Sequence, residues 1–234
     1  MKLLVAIIGL FFVLNISSCN TDKPLFELVD ANHSGIQFNN EVKESDSLNV
    51  LDISNVYNGG GVGIGDFNGD GLQDIYFTGN KVSNKLYLNK GEFKFDDITN
   101  AAAVTGDGKW CRGVSVIDIN NDGKSDLYIS ATLDTNADKR KNILYVNQGN
   151  DANGIPHFKD MATEYGLADT TFSTMANFFD YDNDGDLDMF LVVNEIKDAH
   201  IPNVYHPKNQ NPEYYSSSRS VSYTHLTLPT NREV

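Results

Sequence analysis

The sequence predicts an all-β chain, a partial β-propeller of four-stranded blades. Three observations predict it. A nine-residue pattern, Asp-x-(Asp/Asn)-x-Asp-Gly-x-x-Asp, occurs at residues 66–74, 118–126 and 180–188. Each copy is followed by a short apolar run: Ile75-Tyr76-Phe77, Leu127-Tyr128-Ile129 and Met189-Phe190-Leu191-Val192-Val193. A longer unit of four strand-like segments repeats around the copies, at first-Asp intervals of 118 − 66 = 52 and 180 − 118 = 62 residues. Four strands in a unit of this length describe a propeller blade.

The elements of the unit follow in order. The first strand is rich in small residues: Gly61 to Gly65, Gly113 to Ile117, Met175 to Phe179. Such residues suit the innermost position, where backbones converge. The apolar run is the second strand. Its length and its aromatic and β-branched content read as strand and not helix. Its continuous apolarity fits a sheet covered on both faces by neighbouring blades. In the third strand, Asn84-Lys85-Leu86-Tyr87-Leu88-Asn89 matches Asn142-Ile143-Leu144-Tyr145-Val146-Asn147. In the fourth, Phe95 to Thr99 matches Phe158 to Ala162. The differing intervals are absorbed by loops such as Thr132 to Arg140 and Gly149 to Pro156.

The nine-residue loop carries the chemistry. Ca²⁺ takes roughly 6–8 oxygen ligands, and a tight loop offers side chains at positions 1, 3 and 5 and a carbonyl at position 7. Position 6 must turn sharply, which Gly71, Gly123 and Gly185 permit. The closing acid stands at position 9 with a strand after it, so this is not an EF-hand. An Asx-rich turn without metal would need neither the closing acid nor the fixed offset. Three Ca²⁺ sites are therefore expected. The first uses Asp66, Asn68, Asp70 and Asp74, the second Asp118, Asn120, Asp122 and Asp126, and the third Asp180, Asp182, Asp184 and Asp188. Leu72, Lys124 and Asp186 would add carbonyls. The third loop, with Asp in place of Asn, is expected to bind tightest.

The units resemble VCBS/FG-GAP repeats, the blades of integrin-α-like propellers. The run from Leu25-Phe26-Glu27-Leu28 through Gly35-Ile36-Gln37-Phe38 and Tyr57-Asn58-Gly59-Gly60-Gly61 to Phe179-Asp180-Tyr181-Asp182 is similar to multi-repeat outer-membrane lipoproteins of Bacteroidota and to cartilage-acidic-protein-type proteins. The resemblance covers residues 25–194 and implies a longer protein with more blades.

The N-terminus suggests export. Lys2 precedes an apolar stretch from Leu3 to Leu14, of signal-peptide length and too short to span a bilayer. Ile16-Ser17-Ser18-Cys19 then resembles a bacterial lipobox. The expected division is a signal peptide at 1–18, a tether at 19–24 lipidated on Cys19, repeats at 25–194, a polar insertion loop at 195–220 and a non-native tail at 221–234. That tail, from Val221-Ser222-Tyr223-Thr224-His225-Leu226, resembles the conceptual translation of a sequencing-library adapter. The third unit is expected to lack its outer strands, giving an open arc in place of a closed ring of about 4–8 blades.

Net charge is −14, and 3 + 3 + 5 = 11 of the 32 acidic residues lie in the loops. No basic patch argues for nucleic acid. With Cys19 acylated, Cys111 has no disulfide partner, and beside Trp110 it reads as a buried apolar residue. Gly59 to Gly65 lacks the register of a dinucleotide loop. His33, His157, His200, His206 and His225 are scattered, and the loop acids are committed to metal, so no catalytic residue is expected. The expected role is a non-enzymatic scaffold at the outer membrane or cell surface. It would be held to the membrane by the lipid anchor and bind glycan or a protein partner; Tyr205, Tyr214 and Tyr215 are the candidate exposed aromatics. The alternative is a non-catalytic piece of a larger polysaccharide-active enzyme or of an outer-membrane uptake complex.

Overall fold

The computed structural model describes residues 24–46, 48–51 and 56–194, together with the backbone of 218–223. The expected signal peptide, Cys19 and Tyr205, Tyr214 and Tyr215 lie outside the described residues. The chain divides into two units, Met1–Asp30 and Ala31–Val234. In the first, the described residues 24–30 carry no regular element and expose Leu25, Phe26 and Leu28.

The second unit holds three antiparallel sheets. The first contains β1 (Val62–Gly65), β2 (Asp74–Phe77), β3 (Lys85–Asn89) and β4 (Phe95–Asp97), in chain order. The second contains β5 (Trp110–Ile117), β6 (Asp126–Thr132), β7 (Ile143–Asn150) and β8 (Pro156–Asp160), also in order. The third contains β9 (Ser173–Phe179), β10 (Asp188–Asn194) and β11 (Ser218–Tyr223). The registers repeat. Gly65 faces Asp74, Ile117 faces Asp126 and Phe179 faces Asp188. Each nine-residue pattern is thus one hairpin whose closing Asp begins the second strand.

The third sheet differs from expectation. No strand was expected beyond β10, yet β11 pairs antiparallel with it, from Met189 opposite Tyr223 to Asn194 opposite Ser218. This strand crosses the boundary expected at residue 220. The physical reason lies in β10, whose outer edge presents a row of unpaired backbone groups that template a further strand.

The second sheet is sandwiched between two cores. On one side Leu127, Ile129, Ile143, Tyr145 and Phe158 join Phe67, Tyr76, Leu86, Leu88 and Val104. On the other Tyr128, Leu144 and Val146 join Ala176, Met189 and Leu191. Strand β6 is buried at every position, as a strand covered on both faces must be. In the first sheet, β2 buries alternate residues. Its outer face is partly covered by residues 33–40. Phe38 stacks on Phe77 at 5.1 Å, the Gln37 amide donates to Tyr87 Oη at 3.4 Å, and Asn40 and Asn80 exchange bonds at 2.7 and 3.1 Å.

The first strands of successive sheets pack closely enough to exclude side chains. A Cβ on Gly63 would lie 3.0 Å from Val116 Cγ2. One on Gly113 would lie 2.5 Å from Met175 Sδ and 2.6 Å from the Thr174 carbonyl. The small-residue first strands are therefore a packing requirement. Hydroxyls tie the sheets at the same level: Thr78 Oγ1 donates to the Arg112 carbonyl and Ser115 Oγ to the Ala176 carbonyl. A buried network also recurs. Tyr76 Oη donates to the Val104 carbonyl at 2.8 Å and accepts from Asn84 Nδ2 at 2.8 Å. Tyr128 Oη donates to the Leu167 carbonyl at 3.0 Å and accepts from Asn142 Nδ2 at 2.9 Å. Cys111 is fully buried and not in a disulfide.

Because Gly113 meets backbone as well as a side chain, Gly113→Ala should force the second and third sheets apart. Urea denaturation should show a loss of about 1–3 kcal/mol. An unchanged midpoint would mean that the two sheets are not closely docked there.

Candidate metal centres

Each loop folds around its own acids, and a common set of bonds recurs three times. At position 1, Asp66 accepts from the amides of Gly69, Asp70 and Gly71 at 2.7, 3.1 and 2.8 Å. Asp118 accepts from Asp122 and Gly123 at 3.0 and 2.8 Å, and Asp180 from Asp184 and Gly185 at 3.2 and 3.1 Å. At position 3, the Oδ1 atoms of Asn68, Asn120 and Asp182 accept from the amide of position 5 at 3.1, 3.2 and 3.3 Å. At position 5, Asp70, Asp122 and Asp184 accept from the amides of Leu72, Lys124 and Asp186 at 2.9, 2.9 and 3.0 Å. The side chains at positions 1, 3 and 5 of each loop thus accept amides of one turn.

Two backbone positions make this possible. Gly71, Gly123 and Gly185 hold φ of 85°, 82° and 93°, as position 6 requires. Position 4 is left-handed as well, with φ of 74° at Gly69, 56° at Asn121 and 62° at Asn183. Sequence reasoning missed this second requirement, although Gly, Asn and Asn are the residue types that tolerate it.

The closing acid does more than complete a ligand set. Asp74 Oδ2 accepts from the Phe67 amide at 2.9 Å and Oδ1 from the Asn89 amide at 2.8 Å. Asp126 repeats this with Ile119 at 2.9 Å and Asn147 at 2.7 Å. Asp188 accepts from Tyr181 at 2.9 Å. Asp74 and Asp126 are fully buried. Burial pushes both carboxyls up to about 6, against the pull of the two amide bonds, and the neighbouring acids add to the rise.

The donor set suits a hard cation. Carboxylate oxygens of Asp180, Asp182 and Asp188 lie within 4.8 Å of one another. Oxygens bound to a single Ca²⁺ at roughly 2.3–2.6 Å are separated by no more than about twice that length, so these three fit around one ion. The second loop carries an internal competitor: Lys124 Nζ sits 2.8 Å from Asp122 Oδ2. That contact holds the Asp122 carboxyl below its usual range and the Lys124 amine above its own.

A carboxyl whose folded pKa is raised stabilises the fold at low pH and loses that contribution as pH climbs through the folded value. For Asp74 and Asp126 the window runs from about 4 to about 6. In the presence of chelator, unfolding free energy should rise by roughly 2–3 kcal/mol from pH 7 to pH 5 through this pair. Asp74→Asn and Asp126→Asn should each remove about half of the rise. If denaturation curves of the variants keep the full rise, other groups drive it.

The chain is similar to cartilage acidic protein 1 of Xenopus tropicalis, 31% identical over 138 residues, which is 58% of this chain and 20% of that protein. It is 28% identical over 139 residues to the Homo sapiens protein of the same name, 59% of this chain and 20% of that protein. The match thus spans about a fifth of the length of these relatives. Residues 66–129, which run from the first loop through the second, match the family model of the FG-GAP-like repeat.

Proposed function

We propose that residues 31–194 form a calcium-stabilised, propeller-like binding scaffold with no catalytic role of its own. The observation that carries this reading is the thrice-built loop, whose third copy brings the carboxylates of Asp180, Asp182 and Asp188 together although their mutual repulsion opposes it. A divalent ion supplies the charge that such a cluster needs. The side-chain ligands would be Asp66, Asn68, Asp70 and Asp74; Asp118, Asn120, Asp122 and Asp126; and Asp180, Asp182, Asp184 and Asp188. Carbonyls of Leu72, Lys124 and Asp186 would complete them. The bound ion would neutralise the loop and lock the hairpin on which the sheets dock.

The match to an FG-GAP-like repeat supports a scaffold or adhesion role at a coarse level. The finer reading places the chain on the cell envelope, anchored through Cys19, with a glycan or protein partner on its loops. It rests on the lipobox-like Ile16-Ser17-Ser18-Cys19 and on the resemblance to envelope lipoproteins.

Titration calorimetry should detect Ca²⁺ binding in the range of about 10⁻⁴–10⁻³ M typical of extracellular modules. The third loop should bind tightest, since Asp182 adds a charge where the other loops have Asn68 and Asn120. Removing the competing amine with Lys124→Ala should tighten the second loop. No heat of binding, together with a melting curve unmoved by chelator, would overturn the ion reading.

A further inference from the structure

The first loop is gripped from outside its own sheet. Strand β7 shifts register between Asn147 and Asn150, and Gly149 within the shift holds a φ of 96°. Such a bulge re-aims the side chains that follow it. Here it turns Asn150 toward the preceding unit, where Asn150 Nδ2 donates to the Asn68 carbonyl at 2.6 Å. Asn147 Nδ2 donates to the neighbouring Phe67 carbonyl at 2.8 Å. The Phe67 ring, 2% exposed, stands edge-on to Phe158 of β8 with centroids 6.1 Å apart. A cleft of about 190 Å³ runs between the two loops, lined by Asp66, Asn68, Lys124 and Asn150 among others.

These three holds all fall on positions 2 and 3 of the first loop, between the side chains of Asp66 and Asn68. Among the described residues, no side chain of the third sheet makes the same bonds to the Ile119 or Asn120 carbonyl. In the first unit the residue matching Asn147 is Asn89, whose Nδ2 bonds to the Gln73 carbonyl at 2.9 Å; Asn147 Nδ2 makes the matching bond to the Ser125 carbonyl at 3.3 Å and adds the one to Phe67.

We propose that Asn150 and Asn147 are positioning residues for the first ion site, so that its affinity is set by the second sheet. This rests on the calcium reading above. By fixing the carbonyls of positions 2 and 3, the clasp limits the freedom of the loop that carries Asp66 and Asn68. Less ordering then remains when the ion arrives, which raises affinity. The coupling runs both ways: an ion in the first loop strengthens the docking of the second sheet on the first.

Hydrogen–deuterium exchange at stepped Ca²⁺ concentrations resolves the loops separately, through peptides covering residues 66–73, 118–125 and 180–187. In the intact chain each loop should gain protection with its own midpoint. Asn150→Ala should move the first midpoint to about five- to tenfold higher Ca²⁺, the effect expected from one lost hydrogen bond. The second and third midpoints should stay in place. Asn150 is exposed, so the melting temperature in chelator should match the parent protein. Asn147→Ala, at a buried position, should shift the first midpoint further and lower the melting temperature as well. An unmoved first midpoint in Asn150→Ala, or an equal shift in all three loops, would overturn the proposal and leave the calcium reading standing. If no loop of the parent protein gains protection with Ca²⁺, the calcium reading fails and the proposal fails with it.

Discussion

The bond between the closing aspartate and the amide at loop position 2 is the constraint on which the rest of the molecule depends. In Asp74, Asp126 and Asp188 it recurs at the same 2.9 Å. It closes the loop by joining its second residue to its ninth. It also sets the second strand beside the first, since the aspartate is the first paired residue of that strand. In the first two units the other carboxylate oxygen takes the amide of Asn89 or Asn147 and so ties in the third strand. One side chain thus holds three segments of a blade. The cost is a buried charge, visible in the raised carboxyls of Asp74 and Asp126. A buried ionised group needs a compensating charge, and the proposed ion in the same loop would provide it.

Position 2 carries the constraint outward. While its amide is held by the aspartate, its side chain enters the space between sheets. Phe67 packs in the core shared by the first and second sheets, and Ile119 in the core shared by the second and third. The corresponding Tyr181 is 67% exposed and stands edge-on to the exposed Phe179. Loop order and sheet docking are therefore one event in the first two units. This explains why an acidic loop at a strand end can matter to a hydrophobic core some residues away. The repeat stabilises itself by passing from each unit to the next, as stacked repeats do.

Much of this was legible in the sequence because its signals are local. The loop acids, the glycine at position 6 and the apolar second strand all sit within a dozen residues, and the structure places the glycine turn and the strand as their spacing implies. The small first strands were legible too, through the convergence of backbones that Gly63 and Gly113 now display. What escaped depends on partners far along the chain. Tyr76 and Asn84 look like ordinary strand residues until Val104 closes their network. Phe38 gave no sign that it would stack on Phe77. Asn150 is an unremarkable hairpin residue until a bulge aims it at Asn68, 82 positions earlier. Strand β11 was missed for a different reason: its pairing follows from the open edge of β10 and not from a pattern of its own.

The claim at the centre is that the three loops are ion sites and not merely acidic turns. The most direct measurement is a crystal structure of the protein grown with Ca²⁺, using anomalous difference density to locate the ion. A peak is predicted in each loop, about 2.3–2.6 Å from side-chain oxygens of positions 1, 3, 5 and 9 and from the carbonyl of position 7. Well-ordered loops with water or nothing at those points, in millimolar Ca²⁺, would contradict it.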